Sequence, residues 1–210
     1  MRLLIVSSTQ MEIAPFLSTA HPADVLITGV GAAHCMYALT KRLGERKYDF
    51  VLQAGIAGSF GELPLCDVSY VRQDCFADLG IYENHQLQSL FNAGFIKPDE
   101  PPYTGGMLVN DNVLFQRWAL KTCNAVTVNT VSDNVAMEKC FKELYFPHIE
   151  TMEGAALHYV CLMEGIPFLQ LRAVSNIVGI RDKSQWRIKE SVTALNHELI
   201  KIVGQLKQVL

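Results

Sequence analysis

The chain has 210 residues, half of them hydrophobic, enough to bury a full core and suited to one α/β domain over 1–210. Its net charge of −3 is spread along the chain, with no basic stripe or acidic tail, which argues against nucleic acid or an anionic membrane surface as partner. No apolar run approaches the roughly 20 residues that a membrane span needs.

The opening "MRLLIVSSTQ" carries one Arg and an apolar run of four residues, too short for the core of a secretory signal. It reads instead as a first strand over 2–7, followed by a turn and a short helix. "ADVLITGVG" is a second strand running into a glycine turn, and "AAHCMYALTKRLGER" then has helical periodicity. "DFVLQAGIAGSFG" repeats the plan: a continuous apolar strand, then Gly55, Gly58 and Gly61. Continuous apolar strands ending in glycine turns predict a mostly parallel or mixed twisted sheet flanked by helices on both faces.

"DVSYVRQDCFADLG" reads as a long strand and its exit, and residues 80–104, with Pro98, Pro101 and Pro102, as loop. "TGGMLVN" and "AVTVNTVS" read as two more strands. "ETMEGAALHYVCLMEG" begins with carboxylates and continues as an apolar helix, and "IPFLQLRAVSN" is the last strand. "WRIKESVTALNHELIKIVGQLKQV" is an amphipathic helix with Ile188, Val192, Leu195, Leu199, Ile202 and Val203 on one face. The cysteines at 35, 66, 75, 123, 140 and 161 form no CxxC pair and no metal-ligand spacing with histidine, so they read as reduced, mostly buried thiols of a cytoplasmic protein.

Ligands of α/β sheets gather at the carboxyl ends of strands. Polar residues follow strands at four stations: Thr9 to Glu12, Gln53 to Gly58, Thr151 to Glu153, and Arg172 to Asn176. "GVGAAH" offers GxG with His34 where a dinucleotide site needs its third glycine, so it reads as a strand-to-helix turn. "LQAGIAGSF" presents backbone N–H groups, either to a ligand or within a tight turn, and no Walker lysine follows. Glu12 and Glu153 are each either first-turn helix carboxylates or site residues. Asn176, at a buried strand end, either caps the next turn or shows a ligand both donor and acceptor. Arg172 needs an anionic or carbonyl partner. Ser184 or Asp182 is placed to cap the last helix, and Trp186 either lids a flat ligand or packs down.

Together, "STQMEIAPFL", "VLQAGIAGSFG", "DVSYVRQDCFADLG", "ETMEGAAL" and "LRAVSNIVGIRDKSQW", in this order and spacing, resemble the nucleoside phosphorylase and nucleosidase superfamily over almost the full chain. Within it the chain is similar to the methylthioadenosine nucleosidases, and more so to the futalosine hydrolases of menaquinone biosynthesis. The resemblance implies a nucleoside phosphorylase-like fold and hydrolysis of an N-ribosyl bond. Glu12 falls at the carboxylate that activates water, and Glu153 at the one that binds ribose hydroxyls, with Met152 against the sugar. Arg172 supports this cluster. Ile56, Ala57 and Gly58 lie near the anomeric carbon and base, Ser175 and Asn176 at the base edge, and Trp186 against the purine. The loop 129–133 follows a strand, and its Ser132 is a further candidate for contact with the base. No metal or organic cofactor is implied, and relatives are homodimers or larger.

The chain departs from the methylthioadenosine enzymes at residue 176, where they carry aspartate. Asparagine cannot give a proton outright, but its NH2 has two donors and a 6-oxopurine offers two acceptors, N7 and O6. A wrong buried pairing costs ~1–3 kcal/mol, enough to select a base. The amide therefore fits hypoxanthine, the base of futalosine. The aromatic carboxylate tail of that substrate calls for a cation, with Arg72, Arg181, Lys183 and Arg187 as candidates; Asp78 and Glu83 lie in a stretch that matches the family but suggest no role. A phosphorylase would need cations around the nucleophile, which "VSSTQME" does not offer. A methylthioadenosine or S-adenosylhomocysteine nucleosidase would need adenine, and a non-catalytic nucleoside sensor would be expected to lack one of the two glutamates.

Overall fold

The computed structural model describes residues 2–112 and 120–209. Its organising strand is β3 (Phe50–Ser59). Along one edge, β10 (Phe168–Ile177) runs parallel to it for its whole length. The other edge is shared. β1 (Leu3–Ser7) pairs in parallel with Phe50 to Gln53, and β9 (Ile149–Thr151) pairs antiparallel with Gly58 and Ser59. Between them, among the described residues, the β3 edge from Ala54 to Ala57 has no strand beside it, and the candidate site opens in that gap.

β2 (Asp24–Ile27) extends the sheet beyond β1. On the far side β10 pairs antiparallel with β4 (Val68–Asp74), β4 parallel with β8 (Lys121–Thr127), and β8 parallel with β9. Strands β3, β10, β4, β8 and β9 thus close into a ring, with β1 and β2 as a wing. Ala57, Val71, Cys123, Ala125, Ile149 and Val174, at least one from each ring strand, form a single apolar cluster that fills it.

Period-2 alternation sorts the core residues of β1, β3 and β10 onto two faces. Leu3, Ile5, Phe50, Leu52, Leu169 and Leu171 pack with α1 (Ala14–Leu17) and with Leu195, Leu199, Ile202 and Val203 of α5 (Ile188–Val209). Leu4, Val6, Val51 and Phe168 face α2 (Ala32–Glu45) and α4 (Gly154–Glu164). Burying a side chain of this kind is worth about 1.5–3 kcal/mol, so both faces are needed to hold the sheet. Further along the second face, β3 and β10 place Gln53, Gly55, Gln170 and Arg172, the polar layer beneath the site.

The mixed sheet flanked by helices agrees with the sequence reading; several details differ. Residues 135–145 form α3 (Val135–Tyr145), which the sequence reading did not include; the Asn134 side chain caps it by accepting from the N–H groups of Ala136 and Met137. The stretch read as loop contains a hairpin, β5 (Gly80–Glu83) with β6 (Gln86–Ser89), turned at Asn84 and His85 with φ of 50° and 60°. "TGGMLVN" yields only β7 (Leu108–Val109), and β8 starts at Lys121 rather than 125. Glu150 and Thr151 belong to a strand, so the helix starts at Gly154. Asp182 caps the short turn 183–185, through the N–H and hydroxyl of Ser184, rather than α5. Among the described residues no helix is long and apolar enough to cross a membrane.

Candidate active site

Glu12 sits in a single helical turn (Met11–Ile13) and is buried. Its Oε2 accepts from the Ser8 hydroxyl, from Thr9 N at 3.0 Å and from Thr9 Oγ1 at 2.8 Å. Oε1 accepts from Ile56 N at 3.1 Å, a backbone donor exposed where β3 lacks a neighbour. Four donors therefore fix this carboxyl. From behind, buried Asn196 of α5 holds the turn: Nδ2 donates to Glu12 O at 2.8 Å, and Oδ1 accepts from Phe16 N at 3.0 Å. The pairing joins the two ends of the chain, so no local pattern signals Asn196.

Glu153 precedes α4 and is buried without capping it. Its Oε1 accepts from Gly31 N at 2.9 Å, at the start of α2. Gly31 has φ of 100°, a backbone that favours glycine. The "GVGAAH" turn thus does use a helix N-terminus to hold an anion, and the anion is the protein's own carboxylate. Arg172 Nη1 lies 3.8 Å from Glu153 Oε2, while Nη2 donates to Gln53 Oε1 at 2.8 Å. Burial raises the Glu153 carboxyl above its usual range, and Arg172 offsets part of that rise. Gly55 is required here, because a Cβ would run into the Arg172 guanidinium.

A second polar layer lies under Arg172. The orientation of the Gln170 amide that suits all its neighbours donates to His158 Nε2 at 2.8 Å and to Asp74 Oδ2 at 3.3 Å, and accepts from Arg172 Nε at 3.1 Å. Asp74 Oδ1 accepts from Thr127 Oγ1 at 3.0 Å, and Thr127 Oγ1 in turn accepts from Ala155 N, in the first turn of α4, at 2.7 Å. Burial pushes Asp74 up to about 7 and His158 down to about 4. Gly154 leaves room for this layer, since a Cβ there would strike Gln170 and Asp74.

Opposite Glu12, β10 carries a bulge: Val174 pairs with Ala57 and Asn176 with Gly58, so Ser175 is extra. Such a bulge re-aims the side chains beside it. Ser175 Oγ lies 2.9 Å from Asn176 Oδ1 and 3.2 Å from Ala57 O, and Asn176 Nδ2 donates to Ile177 O at 3.2 Å. One amide N–H is thus engaged within the strand. Trp186 is anchored by Nε1 on Ile180 O at 3.0 Å, with the Arg181 guanidinium 5.4 Å from its ring centre.

These groups enclose a cavity of about 290 Å³. It brings together Glu12, Ile56, Ala57, Gly58, Met152, Glu153, Ser175, Asn176 and Trp186. Arg172 stands behind the wall. Ser132 is directed to the start of α3, where its Oγ accepts from Asn134 N at 3.3 Å; Val131 is that loop's lining residue. Of the four cations considered for the carboxylate tail, only Arg181 lines the cavity; Arg72 pairs with Asp111 and Arg187 with Glu190. Asp78 ties the 129–133 loop by accepting from Asn129 N at 2.7 Å. Glu150, which the helical reading of "ETMEG" hid, also lines the cavity. Among the described residues, no three of His, Cys, Asp and Glu are grouped to hold a metal ion.

No protein-family model matches the chain. It is 33% identical to a futalosine hydrolase of Streptomyces coelicolor, over 89% of this chain and 79% of that protein. It is 28% identical to a futalosine hydrolase of Thermus thermophilus, over 96% and 95% of the two chains. The fold matches a crystal structure of the 5'-methylthioadenosine/S-adenosylhomocysteine nucleosidase of Helicobacter pylori with a TM-score of 0.80, at 17% identity, over 97% and 98% of the two chains.

Proposed function

The chain belongs to the futalosine hydrolases, and from that premise we propose that Glu12 activates the water and Asn176 holds the base as its pocket hydrolyses futalosine to hypoxanthine and the dehypoxanthinyl product. N-glycosidic cleavage develops oxocarbenium character on the ribose and negative charge on the departing purine. Glu12, fixed by four donors, takes a proton from the attacking water. Glu153 binds ribose hydroxyls and adds negative field near the cationic sugar, with Met152 packed against it and Arg172 holding the carboxylate from behind. Ile56, Ala57 and Gly58 supply the floor. Asn176 donates to the base more strongly as charge builds there, a contribution specific to the transition state. It offers one N–H directly and gains the second by giving up Ile177 O. Trp186 covers the purine, and Ser175 turns the Asn176 oxygen away from it.

One observation carries this reading: a carboxylate held by four donors and a carboxamide re-aimed by a bulge share one cavity. Of the candidate cations for the carboxylate tail, Arg181 is the one that lines that cavity, beside Trp186 at its base end. A homo-oligomer in the cytoplasm fits the exposed Met11 and Val30 at the cavity mouth and the six unpaired cysteines.

The test is incubation with futalosine in phosphate-free buffer, with free hypoxanthine measured over time. Hypoxanthine release without phosphate is expected. A strict need for phosphate would make the protein a phosphorylase, and faster cleavage of methylthioadenosine would remove the assignment of Asn176 to a 6-oxopurine.

A further inference from the structure

The choice between a 6-oxo and a 6-amino purine cannot rest on Asn176 alone. Turned over, its amide accepts from a 6-amino group and donates to N7, a pairing asparagine makes readily with adenine. The Ser175 hydroxyl opposes that turn by donating to Oδ1, but a hydroxyl accepts as well as it donates. A second group faces the same floor. Glu150 of β9 pairs in register with Gly58 of β3, and Gly58 pairs in register with Asn176 of β10.

Register partners project to the same side of a sheet, and adjacent strands lie about 4.8 Å apart. Glu150 and Asn176 therefore rise from one row, with a glycine between them. The space above Gly58 is what a flat base needs; a Cβ there would press on Asn176 Nδ2 at 3.2 Å. Glu150 is 8% exposed and lines the cavity. Among the described residues its carboxyl takes no hydrogen bond and no ion pair within 4.0 Å. With no protein partner, its oxygens face the cavity and are left for water or a ligand to satisfy. Burial, with Glu138 of α3 and Asp78 nearby, pushes it up to about 7 against the opposing pull of Arg181.

We propose that Glu150 is a specificity-determining residue, accepting a hydrogen bond from N1–H of a 6-oxopurine across the Gly58 floor from Asn176. N1 carries a proton in hypoxanthine and a lone pair in adenine, so the ionised carboxylate welcomes one and repels the other. The two side chains read different atoms, and only together do they define the base. This inference rests on the reading that hypoxanthine occupies this end of the cavity.

The test compares futalosine with its 6-amino-6-deoxy counterpart, and with N1-methylated futalosine, on the full chain and on Glu150→Gln. Glutamine accepts from N1–H or donates to an N1 lone pair, so the 6-oxo to 6-amino ratio of kcat/KM should fall by roughly 100-fold, mostly by gain on the 6-amino substrate. The unaltered protein should lose roughly 10- to 100-fold on N1-methylated futalosine. Equal effects of Glu150→Gln on both bases mean a structural role and overturn the proposal. So does unimpaired cleavage of the N1-methylated substrate, a result available even if the variant fails to fold. Should the unaltered protein cleave no 6-oxopurine riboside, the reading beneath it falls too, which the ratio separates from failure of Glu150 alone.

Discussion

At one end of the cavity the Glu12 carboxyl takes four hydrogen bonds, its turn is held by Asn196, and Arg172 joins Glu153 to Gln53 and Gln170. At the other end, among the described residues, the Asn176 side chain bonds only to its neighbours in sequence, and the Glu150 carboxyl takes no hydrogen bond. The first end is preorganised, which is what stabilising a transition state requires, because donors that need not move cost nothing at the moment of reaction. The second end keeps polar groups for a ligand to satisfy, which is what discrimination requires, because the wrong base then leaves them unpaired. Variants at the first end should therefore alter kcat and stability, and variants at the second should alter the choice of substrate.

The largest effect is expected at Glu12. Glutamine there brings an NH2 group into a nest of donors and cannot take a proton. Hypoxanthine release should drop by about 10²–10⁴-fold, the usual worth of a general base, with KM within a few-fold of the parent. A Glu12→Gln enzyme within ten-fold of the parent rate would remove that glutamate as the base.

Next comes Gly55→Ala. The new methyl would strike the Arg172 guanidinium and press on Glu12 Oε1 at 3.1 Å. Overpacking of this kind costs about 1–3 kcal/mol, visible as a lower urea midpoint, and kcat should fall with it. Gly44→Ala is the contrasting control. It lies in α2 with nothing within 4 Å of the added Cβ, so helix propensity alone should leave stability equal or up to about 1 kcal/mol higher. Equal responses at the two glycines would mean that the Glu12 end is not tightly held.

A smaller and more selective change is expected from Asn176→Asp at the open end. An aspartate repels O6 and N7 while ionised, so kcat/KM for futalosine should fall by roughly 10- to 100-fold. The urea midpoint should stay near the parent value, because the residue is half-exposed and its amide donates only to Ile177 O. A large loss of stability would place Asn176 with the structural layer instead.

The same contrast governs how far the sequence could be read. Strand ends bearing Glu12, Glu153 and Ser175–Asn176 were legible because apolar runs stop there in polar residues, and their order along the chain matched a known family. Glu150 was not, because a carboxylate three residues before another at a helix start looks like a first-turn charge. Only the pairing of β9 with Gly58 and Ser59, about 90 residues away in sequence, makes it a strand residue facing the cavity. Ring closure was hidden for the same reason: β9 has three residues and no alternation to detect. Helix α3 did carry a signal, with Asn134 as cap and Glu138 in its first turn, just past the end of the strand reading at residue 132.

The smallest effect concerns the layer that holds the Glu12 end from below, and here two shifts should cancel. Asp74 titrates at about 7 in the fold against an ordinary 3.8, so the native state holds its proton more tightly than the unfolded chain. Its contribution is complete below about pH 4 and is lost as pH rises through 7. His158 is opposite: burial lowers it from 6.5 to about 4, so the native state refuses a proton the unfolded chain accepts. Its contribution is complete above 6.5 and is lost as pH falls through 4. Between roughly pH 4 and 6.5 the two slopes have opposite sign and each approaches one proton. Gln170 touches both groups, which places them in one network. The parent protein should thus show little pH dependence of its urea midpoint from this pair over that window. Asp74→Asn should gain stability as pH rises from 4 to 6.5, since only the histidine slope remains. His158→Gln should lose stability over the same interval, since only the aspartate slope remains. Parallel profiles for the two variants would mean that the buried pair does not exchange its proton balance in this way, and that the layer beneath Arg172 is held by packing rather than by matched polar groups.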